Sequence, residues 1–215
     1  MKKIILALSI ALCIATAAEA QDSDTDFRKK FMFGLKAGIN YSNVYDSEGE
    51  DFEADGKFGA VAGGFFVIPI GKFVGIQPEL LFSQKGFQAS GSFLGNSYSF
   101  KRTTDYIDVP LFFSIKPSEF FSIQVGPQYS YLIKQTDVFK TGFVDINQQT
   151  EFENDNIRKN TLCFVAGADI NIKHINLGLR AGLDLQNNKG DGTSSTPRYK
   201  NAWYQFTIGF RFYKS

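Results

Sequence analysis

Seven segments of this chain alternate apolar and polar residues with a period of two, and nothing else in the sequence restricts its fold as strongly. Period two is the repeat of a strand with two chemically different faces. Each segment runs for about ten residues, the length a tilted strand needs to cross the hydrocarbon layer of a bilayer. In the clearest one, Ile175, Leu177, Leu179, Ala181, Leu183 and Leu185 oppose Asn176, Gly178, Arg180, Gly182 and Asp184. The segments starting at Phe33, Val74, Ile107, Phe121, Leu162 and Tyr204 repeat the pattern. An eighth, about 58–68, is apolar on both faces and takes no orientation from it.

The connections alternate in length. Tight ones fall at Pro69–Lys72, Lys116–Glu119 and Lys173–His174, and long polar ones at Val44–Lys57, Gly86–Thr103, Ile133–Asn160 and Gln186–Asn201. Turns at one rim and loops at the other predict an all-β fold: an eight-stranded antiparallel up-and-down transmembrane β-barrel. An even strand count puts both ends of the domain on the turn side. A lipocalin-type soluble barrel shares the period but reverses the faces. Here the polar face is rich in Gly, Ser and Asn, which suits a narrow interior better than a solvated outside. Aromatics near strand ends (Phe33, Tyr41, Phe73, Tyr106, Phe121, Tyr131, Tyr204 and Phe212) are placed as interfacial girdles. Pro78, Pro110 and Pro127 fall inside strands of a sheet without edges, so bulges or strand ends are expected near them.

Residues 1–20 read as a signal peptide: Lys2 and Lys3, an apolar run from Ile4 to Ala17, then Ala18-Glu19-Ala20 as a small-x-small cleavage pattern. Residues 21–30 are expected to be a disordered linker and 31–215 the barrel domain. Removing Lys2, Lys3 and Glu19 from the 23 basic and 22 acidic side chains leaves equal numbers. A neutral chain argues against a nucleic-acid partner, which calls for a basic excess. Cys163 is the sole cysteine beyond the leader, so no internal disulfide can staple the domain.

The segments Gln77-Pro78-Glu79-Leu80-Leu81-Phe82-Ser83-Gln84-Lys85-Gly86, Tyr106-Ile107-Asp108-Val109-Pro110-Leu111 and Val125-Gly126-Pro127-Gln128-Tyr129 resemble motifs of the outer-membrane β-barrel domain family of Bacteroidota, the PorT-like or "porin family" small barrels. The resemblance covers roughly 31–213. It implies a small barrel in the cell outer membrane, inserted by the barrel-assembly machinery and in contact with outer-membrane lipid and lipopolysaccharide. It implies no particular activity.

No catalytic signature is present: no G-x-x-x-x-G-K-[ST], no H-E-x-x-H, no C-x-x-C. The single histidine, His174, reads as a solvated turn residue, and Cys163 as a lumen residue. The acidic run from Asp46 to Asp55 lacks the spacing of a Ca²⁺ loop. The chain is therefore read as a non-enzyme, with no catalytic residue, cofactor or metal site. More informative are the charges on the polar faces: Lys36, Glu79, Asp108, Asp169, Arg180, Asp184 and Arg211. Eight strands leave an interior just wide enough for side chains to fill, so these are expected to pair across the lumen and plug it. The expected role is structural or interactive, through the long outer loops and a loop partner the sequence does not identify. The alternative is a narrow pore or a component of a secretion or transport apparatus.

Overall fold

The computed structural model describes residues 26–46, 54–93, 96–141, 144–150, 158–188 and 199–213. The leader and most of the acidic run lie outside them. The elements are a 3-10 turn, Phe27–Lys29, then β1 (Met32–Asp46), β2 (Asp55–Pro69), β3 (Val74–Phe93), β4 (Asn96–Ile115), β5 (Phe121–Thr141), β6 (Val144–Thr150), β7 (Asn160–Ile172), β8 (Ile175–Asp184) and β9 (Tyr199–Phe212). All pairings are antiparallel between neighbours, and β9 pairs back onto β1 from Phe33↔Phe212 to Asp46↔Tyr199. With the β4–β5 pairing the ring closes on eight strands. The ninth, β6, lies outside the ring on the distal part of β5, Thr141↔Val144 to Gln135↔Thr150.

The alternation puts oil outward. Leu35 is 62% exposed, Leu179 60% and Phe206 44%, and Ile39, Leu80, Leu111, Ile170, Ile208 and Phe210 share that outer surface. The opposite faces are buried: Lys36, Asn40, Gln77, Glu79, Ser83, Asp108, Gln124, Asp169, Arg180 and Gln205 are among them. A lipocalin-type barrel would show the reverse. β2 now takes its orientation, with Val61, Phe65 and Val67 inward and Phe58, Ala62 and Phe66 outward. Its inner face is apolar because glycine on the next strand makes room. A Cβ on Gly34 would lie 2.4 Å from the Phe65 ring. The same large-against-small pairing sets Trp203 against Gly182 and Arg180 against Gly167.

Three tight turns share one rim, at 70–73, 116–120 and 173–174, the last with Lys173 at φ 49. At the other rim the sheet extends further than the loop lengths predict. The stretch 86–103 is not a long polar loop: β3 and β4 stay paired through Gly86↔Thr103 to Phe93↔Asn96. Likewise β5 continues to Thr141, and much of 133–160 is the β5–β6 hairpin. Ser and Gly recur through the β3–β4 extension (Gly86, Ser90, Gly91, Ser92, Ser97 and Ser99), so alternation fades once the strands leave lipid although backbone pairing does not.

The prolines do not produce the expected bulges or strand ends. Register is unchanged across Pro78 (Pro78↔Leu111, then Leu81↔Asp108) and Pro110 (Pro110↔Gln128, then Phe113↔Val125), with local gaps in the pairing. Pro127 pairs with Phe164 in an unbroken β5–β7 ladder. Missing N–H groups are thus absorbed as local interruptions of the ladder, for Pro127 on its β4 side alone. The register shifts lie elsewhere: between Gly56 and Val61 on β2 opposite the Gly86 region of β3, and at Asp105/Tyr106 on β4 opposite the Ile133 region of β5. Gly86 has φ +141, a conformation open to glycine, and residues 85–87 are all buried, as a bulge that flips the strand's phase requires. Tyr106 is a further correction. It is 2% exposed and inward, as its parity beside the outward Ile107 dictates, and is no girdle residue.

Candidate functional site

The lumen holds most of the buried polar chemistry, and all seven charges singled out in the sequence are buried in it. They form two groups and one outlier. In the half nearer the turns, Lys36 Nζ lies 2.7 Å from Glu79 Oε1, while Arg180 pairs with Asp169 and reaches Glu79 Oε1 at 3.9 Å. The four alternate in sign, which is how ions removed from water become tolerable. Amides complete the group. Gln77 Nε2 donates to Glu79 Oε1 at 2.7 Å, and Gln124 Nε2 donates to Gln77 Oε1 at 2.8 Å and to Asp169 Oδ2 at 2.6 Å. Space for Lys36 comes from its cross-strand partners, Gly63 on β2 and Gly209 on β9.

The second group lies nearer the loop rim. Asp108 pairs with Lys85 at 3.0 Å. Lys85 Nζ sits 3.8 Å from the centroid of the Trp203 ring and 4.9 Å from that of Tyr106. Asp184 accepts from the backbone N–H and the side-chain Nδ2 of Asn201, at 3.0 and 2.6 Å, and from the Cys163 thiol at 3.1 Å. Lys85 is not among the seven charges expected from the sequence, although the inward face of β3 already carries Glu79, Leu81 and Ser83. Carrying the same parity two residues further would have found it. Phe112, Cys163, Val165 and Trp203 pack as an apolar cluster inside the barrel, so the lumen at this height is filled by rings as well as ions.

Arg211, the outlier, joins neither group. It lies at the turn rim and donates to the Lys173 carbonyl. There the 3-10 turn folds across the mouth. Asp26 caps it, accepting from the Arg28 backbone N–H at 3.1 Å and pairing with the Arg28 guanidinium and, at 3.1 Å, with Lys72. Hydrogen bonds from Arg28 hold the Asp26 carboxyl well below the usual carboxylate range. Arg28 also donates to the Pro117 carbonyl, and Lys116 Nζ donates to the Arg28 carbonyl at 3.2 Å. Phe27 packs on Tyr213, which stacks on His174. Residues 26–30, expected to be linker, thus form a cap. His174 is exposed as expected, with Nδ1 2.8 Å from the Arg211 carbonyl oxygen.

Above the lumen, β3, β4, β5 and the start of β9 carry a further cluster. Arg102 pairs with Asp137 at 2.7 Å and donates to the Tyr199 hydroxyl, with the rings of Phe87 and Phe100 beside it. No group of three or more His, Cys, Asp or Glu side chains able to hold a metal occurs among the described residues.

A closed antiparallel ring with an apolar exterior and a polar, ion-paired interior defines a transmembrane β-barrel protein. A family comparison agrees with that class. The model for "Outer membrane protein beta-barrel domain" matches residues 19–213, so the chain belongs to this family and is a protein of the outer membrane. Solved structures similar to it include the attachment invasion locus protein Ail of Yersinia pestis, 14% identical over 85% of this chain and 99% of that one, TM-score 0.49. Neisserial surface protein A is 9% identical over 84% and 97%, TM-score 0.47. OprG of Pseudomonas aeruginosa is 12% identical over 86% and 97%, TM-score 0.40. None of the curated proteins matches the chain.

Proposed function

We propose that this protein is a plugged outer-membrane barrel that conducts no solute and acts through the sheet it holds outside the membrane. The observation that carries this reading is the lumen. Lys36, Glu79, Arg180, Asp169 and Gln124 occupy one half of the interior in mutual contact, and Lys85, Asp108, Trp203 and Phe112 fill the other. An eight-stranded ring has little width beyond what such side chains take up. The working part is then the distal β3–β6 sheet, a rigid support of the kind that presents interaction loops. The three proline-containing motifs support placing the protein with the PorT-like small barrels. The apolar outer surface fits contact with outer-membrane lipid and lipopolysaccharide, and insertion by the barrel-assembly machinery.

Single-channel recording in planar bilayers tests the plug. No discrete steps are expected from the refolded chain. Stable unitary conductance would overturn the reading in favour of the narrow pore or transport role. Residues 1–20 are proposed to be removed on export. N-terminal sequencing of the membrane-extracted protein is expected to start at Gln21, and retention of Met1 would refute that.

A further inference from the structure

We propose that the turn-side mouth of the barrel binds a small inorganic anion of chloride size between Lys116 and Arg211. The two side chains come from the β4–β5 turn and from β9, each is 5% exposed, and they line one cavity with Gln77, Ser114, Ser122 and Asn176. Two cations removed from water at one place call for a counter-charge. Among the described residues no carboxylate lies within ion-pair distance of either. The acids nearby serve other cations first: Asp26 is held by Arg28 and Lys72, and Asp169, which also attracts Arg211 from a distance, by Arg180 and Gln124; Glu119 lines the same cavity but acts on Arg28 and makes no ion pair with Lys116 or Arg211.

The donors point the same way. Arg211 gives one N–H to the Lys173 carbonyl, but its Nε is buried with no acceptor. A buried charged donor left unpaired is among the costlier defects a structure can carry. Lys116 spends one of its three protons on the Arg28 carbonyl. Burial, together with the neighbouring Arg211, pushes its ammonium down to about 8 against a weaker opposing pull from Asp26, so the two cations feel each other. Water would satisfy the donors and leave that repulsion in place; an anion removes both. Size selects the class. The enclosed part of the cavity measures about 20 Å³, room for one water-sized body, which suits a halide better than a tetrahedral oxyanion.

The test uses the full chain refolded in detergent micelles, in gluconate buffer of constant ionic strength. Chloride-35 NMR linewidth is followed as chloride is added. Excess broadening is expected to saturate, to be displaced by bromide and to be indifferent to phosphate. Arg211→Gln and Lys116→Gln should each weaken the apparent affinity about tenfold, the loss of one charge-assisted contact. Lys101→Gln, an exposed lysine on β4, should leave it unchanged. Equal broadening in all three variants, displacement by phosphate, or no broadening at all would refute the site. Should a mouth variant fail to fold, bromide anomalous scattering from crystals of the unmodified protein decides. A peak at the mouth is expected, and a map without one overturns the proposal.

Discussion

Glu79→Gln should be among the most damaging single substitutions in the barrel. Glu79 Oε1 faces Lys36 Nζ at 2.7 Å, Arg180 Nη2 at 3.9 Å and the Gln77 amide at 2.7 Å. At an effective dielectric constant near 20, the attractions to the two cations amount to about 6 and about 4 kcal/mol. Much of this is offset by the desolvation already incurred when the ions entered the lumen. Glutamine keeps the shape and one acceptor but removes the charge, leaving Lys36 and Arg180 with Asp169 alone. Breaking a buried pair in this way costs about 3–5 kcal/mol. Equilibrium unfolding by urea, on protein refolded in phospholipid micelles, measures it. Trp203 is the only tryptophan and is buried in the lumen, so its fluorescence reports the interior directly. The companion Lys36→Met/Glu79→Leu should recover most of the loss, because removing both ions also removes the uncompensated charge. A Glu79→Gln loss below about 1 kcal/mol, the scale of exposed ion pairs, would mean that water screens the lumen and that the plug is not dry.

Three further outcomes follow from the same geometry. Leu179→Arg, midway along β8 on the lipid side, should cost about 2–4 kcal/mol in urea unfolding from lipid vesicles; a neutral effect would contradict membrane insertion of that face. Gly38→Ala should abolish the folded band in gel-mobility assays, since its Cβ would lie 1.9 Å from the Phe206 carbonyl oxygen, whereas Gly64→Ala, with nothing nearer than 3.5 Å, should fold normally. Lys116→Met should stabilise the barrel at pH 7 in chloride-free buffer. The folded-state ammonium is held at about 8, below the ordinary lysine value, so charging it opposes folding fully at pH below 8. That gain should shrink as pH rises above 8 and vanish once the unfolded lysine is also neutral; a gain that grows with pH would refute the assignment.

The ring, the facing of seven of its eight strands and the turn rim were legible in the sequence because lipid and lumen impose opposite chemistry on alternate residues. β7 and β8 show this most plainly: Leu162, Phe164, Leu179 and Leu183 read outward and lie outward. Legibility failed wherever that contrast failed. β2 could not be oriented because Val61 and Phe65 fill space that glycines on β1 leave free. Lys85 keeps the inward parity of Leu81 and Ser83 and was legible; it is the last such residue before the Gly86 bulge breaks the phase. The extended β3–β4 arm read as loop because both of its faces stand outside lipid, where no environment enforces alternation. Of the candidate site, the charged members were visible as inward polar residues. Their partition into two groups was not, since it depends on which strands the closed ring brings face to face. The mouth cap was hidden for a related reason: Asp26 and Arg28 belong to no periodic segment, and their partners Lys72 and Pro117 are distant in the chain.

The strands of this barrel are unequal: β8 has 10 residues and β5 has 21. At about 3.3 Å per residue the longer one reaches roughly 35 Å further. The excess is gathered on the neighbouring strands β3, β4 and β5, so their paired backbone rises as a mast on one side of the cylinder. A mast made of paired backbone holds its height without the entropy a free loop of equal length would have to surrender. The paired ends of the mast, Phe93↔Asn96 and Thr141↔Val144, therefore keep their elevation, and the lumen beneath them its filling, whatever sequence joins them.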